Sequence, residues 1–347
     1  MKKLRVGIVG TGNIAQTAHL PAYSAFADRV EVVALADLNL DRAREAARQF
    51  GVPHVYSSVE ELLANVDVDY VDICVWNGWH APVAIAAARA GKAILCEKPM
   101  SDSLAHSLEM EAEVKKAGVP FMMAMPSRFN ADAMLLHEMQ QSGELGDIYY
   151  AKTGRIRRRG TPVGWFTDLS KSGGGPVIDI GVHCIDVTWF LMGKPKPVRV
   201  SAAISRAIGN FKTKGVMRWT ALDAGSGVFD TEDSASGIVH FENGASMLVE
   251  TSWALNAKEA SYTQICGTKG GAVLDPLTIF TENSHGYLVD EQPTLPKVNR
   301  FEKEIEHFLD CLISGKKPLV PIEDGIAIQK ILGGIYDSAK QGREVTL

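Results

Sequence analysis

Along the first 125 residues, short apolar runs alternate with stretches of helical spacing. The apolar runs are Leu4–Val9, Val30–Ala36, Tyr70–Val75, Ala93–Cys96 and Phe121–Met125, with a weaker one near His54–Tyr56. Between them, apolar positions recur at three- and four-residue intervals over Asn13–Ala27, Leu40–Phe50, Val59–Ala64, His80–Ala90 and Leu104–Ala117. Strands that are apolar at nearly every position are buried on both faces, so the pattern predicts a parallel sheet with helices on each side. Six strands complete a doubly wound α/β sheet. Local signals agree. Ser58 and Glu61 have capping-box spacing, and Gly51, Gly91 and Gly118 stand where helices should stop.

After about residue 125 the rhythm changes. Helices are predicted at Ala131–Gln141, Val177–Met192, Phe301–Ser314 and Glu323–Gln341. Strands are predicted at Ile148–Arg157, Val198–Ile204, Ala235–Glu242, Ala245–Trp253 and Thr263–Gly267. Glu242-Asn243-Gly244 between two of these runs is a hairpin signal. Strands in series without intervening helices imply an antiparallel sheet and an α+β second domain. The expected division is therefore 1–125 and 126–347. It fits the length of 347 residues, given about 150 residues per domain.

Composition narrows the class. The chain is 46% apolar and 22% charged, with 41 acidic against 36 basic residues and a net charge of -5. A globular chain without a basic excess is not expected to bind nucleic acid. No apolar run reaches the roughly 18 residues that span a bilayer. The start, Met1-Lys2-Lys3-Leu4, leads straight into the first strand without the apolar stretch and cleavage site of a secretory signal. The five cysteines lack CxxC spacing and read as reduced thiols of a cytoplasmic protein. The nine histidines form no HExxH or comparable ligand pattern, so no metal is expected.

Candidate chemistry begins at the first turn. Gly10-Thr11-Gly12-Asn13-Ile14-Ala15 follows a strand and opens a helix. Gly10 permits the tight turn, Gly12 leaves room for a pyrophosphate, and Ala15 allows close packing of helix on strand. Asp37 ends the second strand, 22 residues past Ala15. A carboxylate there accepts the adenosine ribose hydroxyls and repels a 2′-phosphate, which favours NAD over NADP. Arg42 lies one turn further on.

Lys98, in Glu97-Lys98-Pro99, ends the fifth strand and should face the ligand crevice. Asp179 and His183, four residues apart after a glycine-rich turn, share one face of the predicted helix. A carboxylate beside an imidazole orients it for proton abstraction from an alcohol. The same pair also has the spacing of an ordinary helical ion pair.

Together these motifs, with Glu323-Asp324-Gly325 through Gly342 near the end, resemble the Gfo/Idh/MocA oxidoreductases over essentially the whole chain. The resemblance implies a Rossmann domain followed by a domain with a large open, mainly antiparallel sheet that carries subunit contacts in a dimer or tetramer. It also implies that Lys98 is the active-site lysine, His183 the acid/base and Asp179 its substrate-binding partner. Asn77 and His80 match positions near the cofactor. Trp76 stands where relatives often carry proline or threonine. Arg128, in Ser127-Arg128-Phe129, matches an arginine that lines the active site, and a domain-interface ion pair is the alternative reading.

The run Arg155, Arg157, Arg158 and Arg159 reads as a solvated or subunit-contact face, or as an anion site. Alternation places Arg155, Arg157 and Arg159 on one strand face. Trp165, in the loop that follows, is placed to lie against a sugar ring. The resulting expectation is an NAD-dependent dehydrogenase of a sugar, inositol or related polyol. An NAD-using glycosidase and a non-catalytic NAD-binding regulator are the alternatives.

Overall fold

The computed structural model describes residues 3–222 and 227–347. Met1 and Lys2, where the N-terminal reading begins, lie outside them. Six parallel strands form the first sheet: β1 (Leu4–Val9), β2 (Val30–Ala36), β3 (His54–Tyr56), β4 (Tyr70–Ile73), β5 (Ala93–Cys96) and β6 (Phe121–Met123). Their order is β3-β2-β1-β4-β5-β6. Val6, Ile8, Tyr70, Val71, Ile73, Ile94 and Leu95 are fully buried, as both-face burial requires. The chain reverses direction across the sheet between β1 and β4, and that crevice is where a doubly wound fold binds its ligand.

Gly10 is fixed by this crevice. Its φ is 96°, and a Cβ there would overlap the Cys74 carbonyl at the end of the neighbouring strand. The capping signal at Ser58 is real but displaced. Ser58 Oγ accepts the Glu61 N–H at 3.2 Å, whereas the Glu61 carboxylate turns to Ser57, accepting its N–H at 2.9 Å and its hydroxyl at 2.7 Å.

The second sheet has nine strands in the order β14-β13-β12-β11-β7-β10-β9-β8-β15. They are β7 (Ile148–Ile156), β8 (Pro197–Ser205), β9 (Ser234–Phe241), β10 (Ser246–Ser252), β11 (Ala260–Gly267), β12 (Gly271–Leu274), β13 (Thr278–Glu282), β14 (Leu288–Glu291) and β15 (Val345–Thr346). The pairings are antiparallel except β7 with β10. The predicted hairpin joins β9 and β10, with Gly244 at φ 85°. One face is covered by the helix over residues 177–191 and by Ile322–Gln341. Tyr149 on β7 and Phe280 on β13 remain exposed. No helix among the described residues is long and apolar enough to cross a membrane.

Arg128 corrects one expectation. It does not line the cavity but is fully buried within the second half. Its Nε and Nη2 donate to Asp186 at 2.9 and 2.6 Å, and its Nη1 donates to Asp324 Oδ2 at 2.6 Å. The guanidinium lies over Phe190, 4.8 Å from the ring centroid. Two carboxylates buried in this way demand a cation. Arg128→Ala should cost about 3–5 kcal/mol by stranding Asp186, read as a lowered midpoint in urea unfolding, while Asp324 keeps Lys194 Nζ at 2.6 Å. An unchanged midpoint would show that the clamp does not stabilise the second half.

Candidate active site

One cavity of about 1070 Å³ runs from the glycine turn, past the ends of β1, β4 and β5, to the loop after β7. Gly10, Gly12, Asn13, Ile14, Asp37, Trp76, Asn77, Glu97, Lys98, Trp165 and Asp179 all line it. A Cβ added at Gly12 meets nothing within 4 Å. That open space lies at the start of the first helix, whose free N–H groups suit a pyrophosphate. Leu38 and Trp79, 77% and 46% exposed, also line the cavity and offer an apolar slot for the adenine.

Asp37 is held tightly. Its Oδ2 accepts the Thr11 N–H and hydroxyl, both at 2.7 Å, and its Oδ1 accepts the Asn39 N–H at 2.8 Å. Arg42 Nη2 reaches both oxygens at 2.8 and 2.9 Å. Burial pushes the carboxyl up, but the bonds from Thr11, Asn39 and Arg42 outweigh it and hold Asp37 below the usual carboxylate range. Thr11 itself is buried and acts through Asp37 rather than from the cavity wall.

At the other end, Lys98 Nζ donates to the Asp179 carbonyl at 2.9 Å and lies 3.6 Å from Asp179 Oδ1. Asp179 sits in a wide, π-type turn, Val177–Gly181, at the start of the helix that continues as Val182–Leu191. Such turns change which side chains share a face. No Asp179–His183 hydrogen bond forms. The Asp179 Oδ2 instead accepts the indole N–H of buried Trp253 at 2.9 Å.

His183 does not line the cavity, and its Nδ1 is buried without a partner. Burial first, then the charges of Lys98, Arg155, Arg300 and Arg157, hold its imidazole well below the ordinary range. It is a neutral base with an unspent hydrogen-bonding position.

Behind the cavity, His19 Nδ1 meets Asp72 at 2.8 Å and its Nε2 meets Glu97 at 3.0 Å. Tyr23 also donates to Asp72, at 2.9 Å. Burial opposes a charge on His19, yet Asp72 wins and the ring titrates well above its usual range. An imidazolium there bridges the first helix to the ends of β4 and β5. The Glu97 Oε2 accepts the Lys98 N–H at 3.0 Å, so the bridge extends to the lysine.

Other expectations need correction. His80 is buried and does not line the cavity. Its ring nitrogens meet the Pro99 and Val75 carbonyls at 2.7 and 3.0 Å, bracing the loops that carry Lys98 and Trp76. The arginine run does not share one strand face, because β7 ends at Ile156. Arg157 turns into the cavity, Arg155 and Arg158 are exposed, and Arg159 binds Asn256 at 2.7 Å.

Sequence reasoning also missed Glu232. Its buried carboxylate accepts the Gly175 and Val177 N–H groups at 2.8 and 3.1 Å and fixes the turn before Asp179. A Cβ at Gly175 would overlap the Glu232 carbonyl. The only sequence signal was an acidic residue, Glu232, shortly before an apolar strand.

The fold and cleft together define a dinucleotide-binding oxidoreductase of the Rossmann class. Residues 4–125 match a family model described as "Oxidoreductase family, NAD-binding Rossmann fold", and residues 134–273 match "GFO/IDH/MocA C-terminal domain". A D-glucoside 3-dehydrogenase of Escherichia coli is 33% identical over 99% of this chain and 97% of its own. A trans-1,2-dihydrobenzene-1,2-diol dehydrogenase of Mus musculus is 30% identical, covering 99% and 98%. A solved levoglucosan dehydrogenase in complex with NADH and levoglucosan superposes with a TM-score of 0.86 at 25% identity, covering 99% of each chain. The chain belongs to the Gfo/Idh/MocA family of oxidoreductases.

Proposed function

We propose that the protein is a cytoplasmic NAD-dependent dehydrogenase that oxidises a ring hydroxyl of a neutral sugar or related polyol. The observation that carries this reading is the pairing of Lys98 with Asp179 across one cavity that also contains the glycine turn and Asp37. The glycine turn, Asp37 and the Leu38–Trp79 slot hold the dinucleotide, which supplies the hydride acceptor when bound. Lys98 places a positive charge where the hydroxyl oxygen becomes anionic. Asp179, anchored by Trp253, orients the lysine and accepts a substrate hydroxyl. His183, outside the cavity lining in this structure, takes the hydroxyl proton on rotating toward the substrate, and Trp165 supplies a wall for the C–H face of the ring. The open face of the second sheet serves assembly into a homodimer or homotetramer.

The relatives' substrates support a sugar or a cyclic diol. The test is to mix the protein with NAD or NADP and a panel of inositols, aldoses, anhydro sugars and glycosides, and follow reduced-cofactor absorbance. Accumulation with at least one ring polyol, faster with NAD, is expected. Preference for NADP would overturn the role of Asp37. Release of free sugar from a glycoside without NADH would show a glycosidase, and cofactor binding without turnover a regulator.

A further inference from the structure

The cavity wall on the second domain's side is built by the loop after β7 and by a strap near residues 217–222. Pro162, Trp165, Phe166, Met217, Trp219 and Leu222 line it. Apart from two indole N–H groups, none of these side chains offers a strong hydrogen bond. Trp165 stacks on Phe166 with centroids 4.0 Å apart and planes at 23°. Phe166 meets Trp219 edge-on at 5.2 Å and 79°. Even so, Trp219 is 48% exposed and Met217 97% exposed.

These side chains stand on a fixed backbone. The Val163 N–H donates to the Trp219 carbonyl at 2.8 Å, and the Ala221 N–H returns to the Val163 carbonyl at 2.9 Å. The Arg218 guanidinium donates to the Thr161 and Gly209 carbonyls, each at 2.9 Å. The Leu222 N–H donates to Asn13 Oδ1 at 3.2 Å, tying the strap to the glycine turn. A contiguous apolar surface held open to water marks a place for a partner. The glycine turn and Asp37 take the phosphates and ribose of the dinucleotide, and this wall reaches that turn through Leu222. The reacting sugar takes Trp165 for its C–H face and Lys98 and Asp179 for its hydroxyls, which leaves Phe166, Trp219 and Met217 without an assigned occupant.

The geometry points to a second-ring subsite: the substrate is a glycoside whose aglycone is a flat apolar ring, laid against Trp219, Phe166 and Met217 while its sugar faces Lys98 and Asp179. This subsite rests on the dehydrogenase reading. The edge of Phe166 against Trp219 leaves a face of the indole for a stacked ring, the arrangement aromatic groups favour. Among the described residues, the charged groups this half adds to the cavity besides Asp179 are Arg157 and Lys171, both cationic. They disfavour a cationic aglycone and accept a neutral or phenolic one.

Two measurements on the intact protein test the subsite. The first compares NADH formation from phenyl and methyl glucopyranosides of both anomers. The second measures binding of the same compounds by calorimetry in the presence of NAD. Phenyl glucoside should be favoured about tenfold in kcat/KM and in Kd. Trp219→Ala should bring that ratio close to one, Trp219→Phe should retain it, and Met217→Ala, at an exposed position, should reduce it. A ratio near one in the unmodified protein, or a ratio unmoved by both alanine variants, would overturn the subsite. If phenyl selectivity in binding depends on Trp219 but no NADH forms with any compound, the subsite stands and the dehydrogenase reading falls.

Discussion

Replacing His183 by alanine is expected to lower kcat for sugar oxidation by about 10² to 10⁴, the range for a positioned acid/base, while leaving NAD affinity unchanged. The affinity should hold because His183 lies outside the cavity wall that receives the dinucleotide. The pH dependence follows from its surroundings. Burial, with four nearby cations, holds the imidazole well below its ordinary range, so the ring is a competent base at neutral pH. Protonation on acidification removes that base. The acid limb of kcat/KM should therefore fall below the usual histidine range, and His183→Ala should abolish it. Steady-state rates between pH 4 and 9, an interval chosen to straddle the ordinary imidazole value of about 6.5, would measure both. A variant with full turnover, or a limb that survives the substitution, would remove His183 from the chemistry.

Lys98→Met should cost about 10² to 10³ in kcat, as expected when a donor to a developing oxyanion is lost. Methionine keeps the apolar stem and removes only the charge that Asp179 orients through its carbonyl at 2.9 Å. The substitution carries a second signature. Lys98 is the largest charged contributor to the low His183 pKa, so its removal should let the His183 titration move up. Nuclear magnetic resonance of the ring protons would follow that shift independently of rate. Unchanged kcat would exclude oxyanion stabilisation by Lys98, and an unmoved His183 titration would show that the two do not share one site.

The features legible in the sequence are those encoded locally. The six-stranded sheet followed from continuous apolar runs, and the placement of Gly10 and Asp37 on the cavity from their position at strand ends. Lys98 followed from the rule that such ends face the ligand. Features set by distant residues were not legible. Arg128 is paid for by Asp186 and Asp324, far away in the chain, and nothing beside Arg128 announces them. The expected Asp179–His183 contact assumed regular helical geometry, which the wide turn and the capture of Asp179 by Trp253 replace. Strands β12, β13 and β14 are four or five residues long and show too little alternation to be seen. The aromatic wall joins Trp165 to Trp219 across more than fifty positions, a pairing no local pattern carries.

The bridge from His19 to Asp72 and Glu97 also decides how this enzyme could be recombined with its relatives. The three residues come from the first helix, from β4 and from the end of β5, and each satisfies the charge of another. A hybrid that imports only the glycine turn, or only the lysine loop, leaves an imidazolium or a carboxylate buried without its counterpart, an error costing several kcal/mol. The transferable part is therefore the whole first sheet with its helices, Lys98 included. Asp179, Trp253 and Glu232 form the matching part on the other side of the crevice. Grafts cut between these two sets should keep their chemistry, because Arg128 and both of its carboxylates travel together in the second part.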